Sequence, residues 1–189
     1  MKTLIINGSP RKDGDTAALV GQLRRNLKGD VLEISDSSAI RPCIDCRYCR
    51  ENPGCAIDDY MQEVYRCIAE CDNVVLASPV WFSSLAGPLL NIASRLQTLW
   101  CARHFRGEIP DIRPKNGAII LVGAQKGTET GPEAVALTIM GNMNVRRKEV
   151  IRVYSMDTDN VPAALDAEAM DRAEWAAQRM NESCKEPAK

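Results

Sequence analysis

The chain has no apolar run long enough to cross a bilayer: the longest, 118–122, is strand-sized, against the roughly 20 residues a spanning helix needs. It also has no charge imbalance. With 24 Lys and Arg against 25 Asp and Glu, a fold-wide field that draws a protein onto nucleic acid is excluded. Histidine is nearly absent, and the one present, His104, stands between Arg103 and Arg106 with no serine or cysteine triad pattern around it. A surface or interface role is expected for it, and no residue stands out as an obligatory general acid or base. Neither G-x-x-x-x-G-K-[ST] nor G-x-G-x-x-G occurs, which disfavours ATP and a dinucleotide bound in the Rossmann manner. The first residues carry one Lys and a short apolar stretch, too little for a secretory leader, so the expected location is the cytoplasm.

What is present is an ordinary globular composition, 45% apolar and 26% charged, over 189 residues with no internal repeat, low-complexity tract or interior linker. One domain, 1–189, is expected, frayed only at the tail from 182. Buried-type strands are predicted at 3–7, 30–34, 73–78, 116–122 and 149–154. Amphipathic helices alternate with them. Thr16, Leu19, Val20, Leu23 and Leu27 share one helical face, and Leu89, Ile92, Ala93, Leu96 and Trp100 repeat the spacing. Three more helices are predicted at 59–71, 132–143 and 162–180. This is an α/β pattern: a five-stranded parallel sheet in order 2-1-3-4-5 with helices on both faces, three layers in all. Its ligand crevice lies at the carboxyl ends of the first, third and fourth strands, so function is sought in the loops after Asn7, Ser78 and Val122.

The first of these loops, from Gly8 through Ser9, Pro10, Arg11, Lys12, Gly14 and Asp15 to Thr16, combines turn residues, cations, hydroxyls and a helix N-terminus. Backbone N–H groups and the helix dipole suit a phosphate there, with Ser9, Thr16 and Arg11 adding donors. The plainer reading is a polar turn and a capped helix, Asp15 or Thr16 being the N-cap. The second loop, Ser78 to Pro88, sets Trp81 and Phe82 at the same sheet edge, where a planar ring could lie. The third, with Gly123, Gln125 and Gly127, lets backbone approach the edge of such a ring.

Gly8-Ser9-Pro10-Arg11 followed by Thr16, then Ser78-Pro79-Val80-Trp81-Phe82, then Gly87 and 91–95, resemble the flavodoxin-like NAD(P)H-dependent FMN reductases along the whole chain. The resemblance implies a flavodoxin-like fold, FMN phosphate held by Ser9, Arg11 and Thr16, and the isoalloxazine carried by Pro79 to Phe82. The candidate flavin-binding set is therefore Ser9, Arg11, Lys12, Asp15, Thr16, Pro79, Val80, Trp81, Phe82, Ser83, Gly123 and Gln125. Asp15 departs from the family, which often has Asn there. A carboxylate beside a phosphate dianion is repelled unless it turns away, with Arg11 and Lys12 offsetting it.

Half of the eight cysteines fall in one loop, 41–58, as C-x2-C-x2-C-x5-C: Cys43, Cys46, Cys49 and Cys55. That crowding suits the corners of a cubane, with Pro53-Gly54 bending the chain back and Arg41, Arg47 and Arg50 interleaved as cations. A tetrahedral zinc site and free or redox-active thiols are the competing readings. Disulfides are least expected in this compartment. The motif resembles that of the iron-sulfur flavoproteins, a branch of the same FMN-binding fold, which implies a 4Fe-4S cluster on those four thiols close to the flavin. Cys67 and Cys71 share a helix face and read as small buried hydrophobes. Cys101 and Cys184 stand alone in the sequence and read as packing residues. Asp166, Glu168, Asp171 and Glu174 read as a solvated face of the last helix.

The leading expectation is an iron-sulfur flavoprotein moving electrons between NAD(P)H, or a ferredoxin-like carrier, and a small-molecule or protein acceptor. The alternatives are an FMN-only NAD(P)H reductase of quinones, azo compounds or flavin, and a redox- or metal-sensing binding module. Trp81, Phe82, Leu85, Trp100 and Phe105 suggest an apolar interface, hence a homodimer or homotetramer, with no nucleic-acid partner and no membrane span.

Overall fold

The computed structural model describes residues 1–35 and 38–183; Cys184 and the rest of the tail lie outside the described residues. Its elements run β1 (Lys2–Asn7), α1 (Asp15–Asn26), β2 (Asp30–Ile34), α2 (Tyr48–Glu51), α3 (Met61–Glu70), β3 (Asn73–Trp81), β4 (Ser84–Leu85), α4 (Gly87–Ser94), α5 (Gln97–His104), β5 (Asn116–Val122), α6 (Thr130–Asn142), β6 (Ile151–Ser155) and α7 (Ala167–Ser183). Five strands are parallel in the order β2-β1-β3-β5-β6, the flavodoxin-like winding. The sixth, β4, is an addition to the expected five and pairs antiparallel with the end of β3, Trp81 opposite Ser84.

The inner strands read as unbroken apolar runs because both faces are covered. Leu4, Ile6, Val74, Leu76, Ile119 and Leu121 point to one side, against Val64, Cys67 and Ile68 of α3, Leu89 and Ile92 of α4, and Ile139 and Met140 of α6. Ile5, Val75, Ala77, Ala118, Ile120 and Val153 point to the other, against Leu19, Val20 and Leu23 of α1 and the alanine stripe Ala169, Ala173, Ala176 and Ala177 of α7. Alternation of successive side chains across the sheet builds both cores from the same strands. Each fully buried Leu, Ile or Val contributes about 1.5–3 kcal/mol.

Three expectations need correction. β3 does not stop at Ser78 but continues through Pro79 to Trp81, because β4 folds back to pair with it. The last strand starts at Ile151 rather than 149, since Arg147–Glu149 form a 3-10 turn. The helix predicted through Leu89 and Trp100 is two helices, broken where the Arg95 and Leu96 N–H groups bond three residues back, to Ile92 and Ala93. Leu96 still packs, but Trp100 is left 38% exposed.

The β3–β4 turn is held from below. A Cβ added at Gly131 of α6 would collide with the Ser83 carbonyl oxygen, so α6 touches the turn only because this residue is glycine. Gly131→Ala is expected to lower unfolding free energy by about 1–3 kcal/mol in urea denaturation. Gly87→Ala, whose added carbon meets nothing within 4 Å, is expected to change it by less than about 0.5 kcal/mol.

Candidate functional site

Two cavities lie on the side of the fold that the sequence singles out. The first, about 330 Å³, opens at the carboxyl ends of β1, β3 and β5 and is lined by Ser9, Pro10, Arg11, Gly14, Asp15, Thr16, Pro79, Val80, Trp81, Val122, Gly123, Ala124 and Thr158. The loop after β1 is tied down at once: the Gly8 N–H donates to the Ala77 carbonyl at 2.8 Å, and the Ser9 N–H to Asn7 Oδ1 at 3.1 Å. A Cβ on Gly8 meets Leu89 Cβ at 2.6 Å, so glycine lets the start of α4 sit against this loop. Ser9 Oγ accepts the Arg11 N–H at 3.2 Å and closes the turn.

The N-cap of α1 is Gly14, neither Asp15 nor Thr16, and no side chain caps the helix. Its first-turn N–H groups and dipole thus meet the cavity without a side-chain acceptor. Asp15, which lines the cavity, accepts the Ala163 N–H at 2.7 Å from the 3-10 turn before α7, so that one of its oxygens is engaged there. Arg11 is exposed and, among the described residues, has no ion pair.

At the other end stands the β3–β4 hairpin. Phe82 and Ser83 hold φ of 50° and 55°, a two-residue turn that usually takes Asn-Gly. Each left-handed non-glycine costs about 1–3 kcal/mol, and such strain gathers at functional sites. Trp81 is 46% exposed and Phe82 wholly exposed. Ser78 Oγ secures the return strand by accepting the Ala86 N–H at 2.8 Å.

The second cavity, about 630 Å³, lies between the cysteine loop, α4, α5 and α6, and all of Cys43, Cys46, Cys49 and Cys55 line it. The loop is clamped at its two ends by one side chain. Arg95, 1% exposed, donates to the Arg41 carbonyl at 2.8 Å, to the Ile57 carbonyl at 3.1 Å, and to Asp59 Oδ2 and Oδ1 at 2.8 and 3.2 Å. Between these anchors Ser94 Oγ accepts the Cys43 N–H at 3.0 Å, Thr98 Oγ1 donates to the Gly54 carbonyl at 2.8 Å, and Arg106 donates to the Cys49 carbonyl. Asp45 and Arg47, either side of Cys46, both have positive φ.

Comparison with known proteins places this arrangement. Residues 1–151 match the NADPH-dependent FMN reductase family. The chain belongs to that family. An iron-sulfur flavoprotein of Archaeoglobus fulgidus is 28% identical over 190 residues, which cover 97% of this chain and 80% of the relative. One from Methanocaldococcus jannaschii is 29% identical over 137 residues, covering 69% and 67%. Among solved structures, an NAD(P)H:quinone oxidoreductase from Methanothermobacter marburgensis has a TM-score of 0.67 at 14% identity, over 100% of this chain and 98% of that one. A flavone reductase gives 0.68 at 16% identity, covering 98% and 64%. At such identities the last two show a shared fold.

This member of the FMN reductase family is accordingly an oxidoreductase whose family cofactors are FMN and NAD(P)H. The first cavity fits a phosphomonoester on a flat ring: free first-turn N–H groups, hydroxyls and an unpaired guanidinium at one end, an exposed indole at the other. Of the candidate flavin set, Lys12, Phe82, Ser83 and Gln125 do not line it, and Thr158 does, brought in by its N–H bond to the Gly123 carbonyl at 3.1 Å. Nothing in the sequence pointed to Thr158. Among the described residues no helix is long and apolar enough to cross a membrane.

The cysteine site differs from expectation in one added cation and in a fifth thiol. Arg47 pairs with Asp45 at 3.7 Å, Arg50 lies 4.7 Å over the Phe105 ring, and Arg41 is exposed. Arg47 and Arg50 nonetheless line the cavity, and Arg95 joins them. Arg106 does not line it and pairs with Glu108 at 2.7 Å, and the Nε atoms of Arg95 and Arg106 are buried without a hydrogen-bond partner. Orphaned N–H donors beside sulfurs suit an anionic sulfur-containing group, so the donor set fits a cluster chemically. Yet among the described residues no three Cys, His, Asp or Glu side chains converge on a metal position. Cys101, which read as a packing residue, has its Sγ 3.5 Å from that of Cys49. Desolvation and this neighbour push the Cys49 thiol up to about 11. Leu85, expected in an exposed apolar patch, is buried, and Asp166 bonds the Ser155 hydroxyl and the Ala169 N–H instead of lying on a solvated face. His104 is exposed, stacked on Trp100 at 4.3 Å.

Desolvation works against ionised Asp59, but Arg95 and the N–H groups of Arg41 and Met61 outweigh it and hold the carboxyl below its usual range. A depressed carboxyl adds stability above its unfolded pKa, about 3.9, and loses it as pH falls through the folded value. Arg95→Met, which strands that carboxylate, is expected to cost about 3–5 kcal/mol at pH 7. Urea titrations at pH 7 and pH 3 check both parts: the difference between variant and parent should shrink at the lower pH.

Proposed function

We propose that this oxidoreductase passes electrons from NAD(P)H, or from a ferredoxin-like carrier, to an acceptor through FMN and a 4Fe-4S cluster. The observation that carries the reading is one cavity walled by four thiols together with the guanidinium-bearing residues Arg47, Arg50 and the buried Arg95, whose Nε has no hydrogen-bond partner. The curated relatives named iron-sulfur flavoprotein support it. When bound, FMN exchanges electrons in pairs with a nicotinamide and singly with a one-electron carrier, and a cluster supplies the single-electron steps.

The chain's own work is binding and orientation. Ser9, Thr16, Arg11 and the first-turn N–H groups of α1 hold the phosphate, while Lys12 adds positive potential at the loop. Asp15 has one oxygen engaged with the Ala163 N–H. Pro79, Val80 and Trp81 shelve the ring, Gly123 and Gln125 border its edge, and Phe82 and Ser83 form the rim. Cys43, Cys46, Cys49 and Cys55 are the cluster ligands, and Arg47, Arg50 and Arg95, which line the same cavity, offset its negative charge. Helix α4 begins beside the phosphate loop and its last residues line the cysteine cavity; eight residues of helix span about 12 Å, so the two sites are neighbours. The exposed Trp81 and Phe82 make the flavin rim a meeting surface in a homodimer or homotetramer. The enzyme works in the reducing cytoplasm, which suits a loop of thiols.

A second reading, an FMN-only NAD(P)H reductase of quinones, azo compounds or flavin, is favoured by the absence, among the described residues, of three converging ligands. Anaerobic purification with iron, sulfide and flavin counted per chain decides between them. The expected result is one FMN with about four iron and four sulfide. Flavin without either leaves the second reading. Cys46→Ser is expected to keep the flavin, lose the iron and lower turnover of the natural acceptor; unaltered turnover again favours the FMN-only enzyme. Arg11→Ala is expected to weaken FMN binding about 10–100-fold by fluorescence titration.

A further inference from the structure

Five thiols, not four, face the cysteine cavity, and the fifth comes from a different element. Cys101 lies on α5, 52 residues from Cys49, and their sulfurs stand 3.5 Å apart. A disulfide needs about 2.05 Å, so closing it asks for about 1.5 Å of movement. Cys49 sits on the four-residue α2, a short turn on a loop, which can supply that shift. The approach is held in place on both sides of Cys49: Arg106 binds its carbonyl, and Arg50 covers Phe105 just past the end of α5. Access is through the cavity, which both thiols line. The other close pair, Cys67 and Cys71, is 0% exposed at both members and lines no such opening.

We infer that Cys49 and Cys101 form a reversible disulfide site for low-molecular-weight disulfides, which withdraws one ligand from the cysteine loop. The exchange runs in two steps. One of the two thiolates attacks a small disulfide RSSR, forming a mixed disulfide and releasing RS⁻; the second attacks the first cysteine's Sγ in that mixed disulfide, forms the Cys49–Cys101 bond and releases the other RS⁻. Two electrons pass from the protein sulfurs to RSSR, and the two thiol protons end on the released RSH. With Cys49 engaged, Cys43, Cys46 and Cys55 remain, one short of a cluster's four thiolates. The ligand part of this inference rests on the cluster reading above; the disulfide itself does not.

The test uses the full chain, freed of iron with a chelator and equilibrated with glutathione disulfide under argon. Peptides mapped by mass spectrometry without reduction are expected to show Cys49 joined to Cys101, two hydrogens lighter than the pair of thiols. Offered ferrous iron and sulfide, this oxidised protein is expected to take up about a tenth or less of the iron that it takes up after dithiothreitol. Cys101→Ser, and Cys101→Ala as a second variant, each checked by circular dichroism for a parental fold, are expected to load fully once reduced and to give no link to position 101. Cys49 joined instead to Cys43, Cys46 or Cys55, or carrying glutathione alone, overturns the inference. So does weaker loading of both reduced Cys101 variants, which makes Cys101 a ligand. A mapped Cys49–Cys101 link in protein that takes up no iron in either state upholds the disulfide and sinks the cluster reading.

Discussion

A guanidinium group with no solvent contact organises the half of the molecule that carries the chemistry. Arg95 takes both oxygens of Asp59 and the carbonyls of Arg41 and Ile57, and so closes an 18-residue excursion of chain onto the helix pair beneath it. A charge so buried is tolerable only when paired and hydrogen-bonded, and two of its four bonds, at 2.8 Å, have the length of strong charge-assisted contacts. The consequence is geometrical. A cysteine-rich loop with a four-residue helix and little core of its own gains a fixed position relative to α4 and α5. The break between those helices falls at Arg95, where the chain gives up a continuous helix to aim this side chain inward.

Strain and packing are distributed to match. Among the described residues, four of the five non-glycine residues with positive φ lie in the two segments that border the cavities: Asp45 and Arg47 in the cysteine loop, Phe82 and Ser83 in the hairpin. The hairpin is braced by Gly131 of α6 and by the Ser78 hydroxyl, the cysteine loop by Ser94, Thr98 and Arg106. The parallel sheet, with two apolar cores, supplies the stability that such rims consume. Helix α4 starts beside the phosphate loop and ends at the cysteine cavity, and so ties the two edges to one element.

Much of this was legible in the residues. The five parallel strands and their order follow from short apolar runs alternating with amphipathic stretches, and Ser9, Arg11, Thr16, Val80, Trp81 and Gly123 meet at one cavity as their loops implied. Local signals carried that information: strand periodicity, turn residues and a helix N-terminus are properties of neighbours in sequence. What the residues hid was long-range. Thr158 joins the cavity from after β6, Asp15 finds its partner 148 residues away, and Cys101 meets Cys49 across 52. Arg95 read as one more position in a helix, whereas Arg41, Arg47 and Arg50 read as the cations of the cysteine loop.

The sequence by itself determined the layered α/β architecture, the edge of the sheet where ligands collect and the gathering of four thiols in one loop, because each is encoded in spacing along the chain. Only the tertiary structure decided that Arg95 joins the cations of that loop and clamps it, that its third cysteine faces a partner on another helix and that the aromatic hairpin is strained. Those outcomes depend on which groups are forced to share a buried space, and a buried charge or thiol takes its partner by proximity in the fold, whatever the distance in sequence.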